Sequence, residues 1–202
     1  AYHLLQQDFP QIPALKIVLH KIIPMGAGLG GGSADGTFML RMLNDTYQLG
    51  LSTDQLITYA LALGSDCPFF VYNQPCFATG RGEALEPIQI DALQDYSLML
   101  ILPKLHISTA KAFSGIIPKQ ATYNLKDINK LGITEWKDHI HNDFEESVFP
   151  QYPVLKAIKE ELYAQGAIYA AMTGTGAAMY AIMPKGKAAT IEHLDGEQHF
   201  FN

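Results

Sequence analysis

The sequence predicts an α+β protein built in two lobes, 1–91 and 92–202. Three observations lead there. Hydrophobic residues make up 48% of the 202 and charged ones 17%, enough apolar matter for one large or two small cores in a folded globule. The first lobe opens with an apolar run, follows it with two amphipathic helices and closes on short strands. The second runs strand, helix, strand, strand, helix, strand, the order of a split βαβ sandwich, and the pattern changes near Asp91.

LKIVLHKIIP, residues 15–24, is rich in Ile, Val and Leu in near-alternation and ends at a proline, so it reads as a strand feeding a glycine-rich stretch. Met39, Met42, Leu43 and Tyr47 then recur at helical spacing, in a helix starting near Ser33 and stopped by Gly50. Ser52 with Gln55 forms a capping box opening a second helix, which Gly64 closes. Segments 69–72 and 76–79 read as short strands about a turn at 73–75, and Gly80 and Gly82 turn the chain toward a strand at 84–88. In the second lobe SLMLIL is a buried strand, 108–113 starts a helix, and 124–131 forms a short helix in a polar stretch. A helix over 152–165 shows Leu155, Ile158 and Leu162 on one face; strands at 168–172 and 178–183, a helix from Lys185 and a strand at 199–201 complete the lobe.

The formal net charge of -6 supplies no basic footprint for nucleic acid or an anionic membrane, so neither is expected as a partner, and any phosphate must be held by local geometry. Cys67 and Cys76 have neither zinc nor redox spacing, and a reducing cytoplasm is the expected setting. No apolar run approaches the roughly 20 residues that span a bilayer. AYHLLQQDF reads as the middle of an amphipathic helix and begins with Ala1 rather than Met, so residues upstream are expected to be missing.

PMGAGLGGGSAD, residues 24–35, carries the chemistry. Gly26, Gly28 and Gly31 satisfy GxGxxG and Asp45 lies near the distance of a dinucleotide fold's ribose acid, yet a second helix follows the first where that fold needs a parallel strand. A Walker loop needs a lysine after its last glycine, and GGGSAD has none; a protein kinase loop needs a valine and a strand lysine, also absent. A backbone nest remains, in which glycine N–H groups converge on phosphate oxygens at a helix N-terminus, against the plainer reading of a tight packing turn.

PMGAGLGGGSAD resembles the second motif of the GHMP kinases, and its triple glycine is most similar to the 4-diphosphocytidyl-2-C-methyl-D-erythritol kinases among them. LGSDCPFF at 63–70, ATGRGE at 78–83 and TGTGAAMYA at 173–181 stand in that family's order, and the resemblance spans essentially the whole chain. It implies an incomplete N-terminal lobe of the ribosomal protein S5 domain 2-like kind, a ferredoxin-like C-terminal lobe, and a small-molecule kinase working with ATP and Mg2+ as a monomer or weak homodimer. By resemblance the ATP segment is Pro24, Met25, Gly26, Ala27, Gly28, Leu29, Gly30, Gly31, Gly32, Ser33 and Ala34. Ser33 offers its hydroxyl or caps the helix, and Asp35 reads as a first-turn carboxylate complementing the helix dipole. From its place on a turn alone Asp66 reads as structural; the resemblance makes it the general base on the acceptor hydroxyl. Thr173, Gly174, Thr175 and Gly176 would form a second nest on the acceptor side, and Phe113 would stack on the substrate's cytosine unless it is a core residue.

No residues are assigned to a metal. HIHND at 139–143 has ligand-type side chains, but alternate positions on a helix diverge, so it reads as a solvated turn; Cys67 reads as a buried structural cysteine. The family's lysine, its asparagine and the tyrosine and histidine that grip cytidine lie upstream of anything corresponding to Ala1, so the resemblance implies impaired turnover for the chain as given. Gly36 departs from the family's alanine, at about 1 kcal/mol of helix propensity. A homoserine or mevalonate kinase and an inactive nucleotide-binding fragment are the alternative readings.

Overall fold

Apolar runs become strands here only where a neighbour takes up their backbone hydrogen bonds. The computed structural model describes residues 1–202, and they fall into two compact units, Ala1–Met25 with Gly30–Gln89 and Gly26–Leu29 with Ile90–Asn202. In the first, α1 is Tyr2–Asp8, α2 Gly31–Thr46, α3 Thr53–Leu63 and α4 Cys67–Tyr72, followed by β1 Cys76–Thr79 and β2 Ala84–Pro87. Leu5, Leu40, Leu43, Leu56, Ala60 and Cys67 form the core of this unit. The capping box is as expected: Ser52 Oγ accepts from Gln55 N, and Gln55 Oε1 from Ser52 N.

Two expected strands of this unit are absent. β1 and β2 pair only with each other. Residues 15–24 are therefore left without a ladder; they form neither strand nor helix, and Ile17, Val18, Leu19, Ile22 and Ile23 are exposed. Residues 69–72, also read as a strand, belong to α4 instead. Pro68 in its first turn has no N–H to lose there and a φ already suited to a helix, and Asn73 ends the turn in the left-handed region.

The second unit contains β3 Tyr96–Pro103, α5 Thr109–Ser114, α6 Trp136–His139, α7 Phe144–Val148, α8 Pro153–Ala164, β4 Tyr169–Met172, β5 Met179–Pro184 and β6 Gly196–Phe201. Its four strands pair antiparallel in the order β4-β5-β3-β6, the ferredoxin-like order. The pleat sorts the side chains. Met99, Ile101, Ala170, Met172, Met179 and Ala181 face Leu155, Ile158 and Leu162 of α8, while Tyr169, Ala171 and Ile182 face Ile133 and Trp136. Leu155, fully buried, is the kind of position where truncation to alanine costs about 2–5 kcal/mol.

One helix expectation is corrected in this unit. The short helix expected at 124–131 is present as a 3-10 helix over 125–130, capped by Asn124. No helix follows Lys185: Gly186 turns in the left-handed region, and Gln198 of β6 bonds both N and O of Ile191, so a side chain replaces the helical ladder.

Candidate active site

Glycine is dictated at position 28 by backbone meeting backbone. Gly26–Leu29 belongs to the second unit, where Ala178 N donates to Ala27 O and Thr173 Oγ1 donates to Gly28 O, each at 2.9 Å. A Cβ on Gly28, whose φ is +77°, would stand 2.4 Å from Thr173 O and 2.8 Å from Gly176 O. The two glycine-rich stretches singled out in the sequence, 145 residues apart at this bond, thus form one backbone surface.

In the first unit Gly30, with φ +64°, is the N-cap of α2, and no side chain caps it. Ser33 is therefore not the cap; it lies inside the first turn. The amides that open this 16-residue helix receive no side-chain acceptor, and no acidic residue stands in its first turn. Asp35 falls one turn deeper than expected because the helix starts at Gly31, and its carboxylate is held by Lys21 Nζ at 2.5 Å. Lys21 was hidden in an apolar run, and no spacing rule marks it.

Asp66 is the N-cap of α4 by position, yet its carboxylate makes no capping bond and lies exposed. Its backbone is set by neighbours: Cys67 N donates to Gly64 O, and buried Thr37 of α2 donates to Cys67 O at 3.0 Å. The β1–β2 turn comes near, since a Cβ on Gly82 would be 3.9 Å from Asp66 Oδ1. Asp66 thus presents an exposed carboxylate from a turn whose backbone its neighbours fix.

In the second unit Phe113 is 60% exposed and meets Phe144 edge-on, with centroids 4.9 Å apart. It is not a core residue. Asn142, from the HIHND stretch read as solvated, is half-buried and donates to Met172 O at 2.7 Å and Gly174 O at 2.8 Å. The sequence offered no signal for this role. No group of three or more His, Cys, Asp or Glu side chains is placed to hold a metal ion.

Residues 1–74 match the family described as GHMP kinases N terminal domain, and residues 124–193 match GHMP kinases C terminal. The 4-diphosphocytidyl-2-C-methyl-D-erythritol kinase of Bacteroides fragilis is 50% identical over 201 residues, covering 99% of this chain and 72% of that protein. The chain belongs to this family of GHMP kinases. A crystal structure of 4-(cytidine 5'-diphospho)-2C-methyl-D-erythritol kinase superposes with TM-score 0.76 at 28% identity, over 89% of this chain and 66% of that one. The homoserine kinase of Cytophaga hutchinsonii, at 13% identity and TM-score 0.64 over 90% and 68%, shares the fold alone.

In this GHMP kinase chain Gly26–Leu29 lies against the 173–178 segment in the second unit, and Asp66 sits on the Thr37-braced turn in the first. Cys67 is buried in the first core, a structural thiol. Gly36 has a packing role as well as a propensity cost, since a Cβ there would stand 3.3 Å from Leu63 Cδ1 of α3. No helix of the chain is long and apolar enough to cross a membrane.

Proposed function

We propose that the chain carries the donor and acceptor loops of an ATP-dependent kinase that phosphorylates the 2-hydroxyl of 4-diphosphocytidyl-2-C-methyl-D-erythritol, a step of non-mevalonate isoprenoid precursor synthesis. The observation that carries this reading is the bonding of the glycine loop to the 173–178 segment, Gly28 O accepting from Thr173 Oγ1 and Ala27 O from Ala178 N. Two such nests fixed to each other suit a reaction in which a phosphoryl group passes from one oxygen to another, where catalysis is chiefly positioning and neutralisation of charge.

Residues 24–34 hold the nucleotide phosphates with backbone amides, helped by the positive end of α2. Thr173, Gly174, Thr175 and Gly176 hold the acceptor side, and Phe113 stacks on the cytosine. Asp66 takes the proton of the attacking hydroxyl. Magnesium, where bound, neutralises the nucleotide's phosphates.

The test is coupled ADP release by the chain extended to the full length of its relatives, with the CDP-linked polyol, homoserine and mevalonate as acceptors. Turnover is expected with the first alone; turnover confined to homoserine or mevalonate refutes the acceptor assignment. Asp66→Asn should lower kcat roughly 10²- to 10⁴-fold, about 3–5 kcal/mol of barrier, with nucleotide affinity nearly unchanged. A substituted enzyme running at the parental rate removes Asp66 from this role.

A further inference from the structure

β4 is an edge strand of the four-stranded sheet, with β5 on one side and no strand on the other. The outward N–H and C=O of an edge strand must find partners elsewhere when they are buried. At Met172, 1% exposed and the last residue before the Thr173–Gly176 turn, both are taken by side chains of one short segment. Met172 N donates to Glu145 Oε1 at 2.8 Å, and Met172 O accepts from Asn142 Nδ2 at 2.7 Å.

The same Asn142 nitrogen donates to Gly174 O at 2.8 Å, inside the turn, while its Oδ1 accepts from Phe144 N at 3.0 Å. One carboxamide therefore ties the start of α7 to the last carbonyl of β4 and to one carbonyl of the loop. Glu145 is almost wholly buried, and its second oxygen is matched by Lys159 Nζ of α8 at 2.5 Å, so the carboxylate is neutralised where it works. Within the loop itself the backbone supplies only Thr173 N to Ala178 O and Gly176 N to Thr173 O. Thr173 Oγ1 and Ala178 N tie one side of the turn to Gly28 O and Ala27 O, and the three side-chain bonds to Met172 and Gly174 hold it from the α7 side.

We propose that Asn142 and the Glu145–Lys159 pair are positioning residues, which set the turnover rate by fixing the carbonyls of Met172 and Gly174 and so the Thr173–Gly176 loop. The proposal rests on the kinase reading for its rate effect and on geometry alone for its effect on the loop. Asn142→Asp is the discriminating variant: it keeps the shape and the bond to Phe144 N but loses both donors and sets a negative charge against two carbonyl oxygens.

In the enzyme extended to family length, N142D should lower kcat about 10- to 100-fold, as expected for a misplacement of reacting groups by a fraction of an ångström, with nucleotide KM changed less than about 3-fold. Amide exchange at Thr173 and Gly176 should quicken at least about 10-fold, with β3 amides unchanged. Lys159→Gln should move both readouts the same way by leaving the Glu145 carboxylate unmatched, and Lys159→Arg should restore them; this pair also decides the matter if N142D does not fold. Unchanged kcat in N142D and K159Q overturns the proposal, and so does unchanged exchange at Thr173 and Gly176. Exchange needs no turnover, so a parental enzyme that releases no ADP removes the kinase reading and leaves the clamp tested on its own.

Discussion

Two alanines placed four residues apart in the glycine loop should change stability in opposite directions. At Gly28 a methyl group would enter a space 2.4 Å from one carbonyl oxygen and 2.8 Å from another, so the loop has to part from the 173–176 turn. Parting releases Ala178 N from Ala27 O and Thr173 Oγ1 from Gly28 O, at about 1 kcal/mol each. Holding alanine at φ +77° adds about 1–2 kcal/mol. Gly28→Ala should therefore destabilise by about 3–4 kcal/mol. At Gly32, in the first turn of α2 and with nothing within 4 Å of a new Cβ, alanine should stabilise by about 0.5–1 kcal/mol through helix propensity and a less disordered unfolded chain. Thermal unfolding reads the contrast: for chains of this size about 1 kcal/mol shifts Tm by about 2–4 °C, so the two variants should stand more than about 7 °C apart. Equal Tm values, or a Gly28→Ala protein as stable as the parent, would refute the view that backbone contact dictates this glycine.

Phe113→Ala should raise the KM for the cytidine-bearing acceptor roughly 5- to 150-fold, the worth of one stacked base, and leave Tm within about 2 °C because the ring is 60% exposed; a Tm drop with unchanged KM would place the ring in the core instead. Tyr59 donates to Asp8 at 2.6 Å, and this bond, with a lesser part from burial, pushes its hydroxyl from 10.0 up to about 12. Below about pH 10 the phenol is protonated in both states and the bond stabilises in full; between about 10 and 12 the unfolded phenol ionises first and the contribution is lost. The Tm advantage of the parent over Tyr59→Phe should thus be constant from pH 7 to 9 and shrink as pH rises from there to 12, and an advantage that persists at pH 12 would contradict the assignment. Thr37→Val keeps the volume but strands the Cys67 carbonyl, so it should cost about 1–3 kcal/mol in urea unfolding; a neutral substitution would show that another group replaces the hydroxyl.

Signals that act within a few residues were legible in the sequence. The Ser52–Gln55 box, the stop at Gly64, the α8 stripe and the strand at 178–183 all depend on neighbours along the chain, and each appears where expected within a residue or so. Failures came where a distant partner decides. Residues 15–24 have strand composition but no ladder, and CPFFVY is apolar enough for a strand yet is turned into a helix by Pro68 and the Thr37 bond. The site divides the same way. Glycine loops and the SDCP turn announce themselves through residue type, whereas Lys21, Thr37, Asn142 and Glu145 act across 14, 30, 30 and 27 residues on partners that no local pattern names. Asn142 was the hardest case, because its polar neighbours give it the look of solvent-facing chain.

The assignment of Gly26–Leu29 to the second unit bears on how this chain can be divided. A cut between Gln89 and Ile90 follows the change of pattern along the chain, but it would strip the downstream piece of the carbonyls of Ala27 and Gly28, which receive Ala178 N and the Thr173 hydroxyl. The upstream piece would carry the same four residues with nothing to bond them. Neither half is a self-sufficient cassette, so recombination at that joint should yield a downstream fragment with a loosened glycine turn.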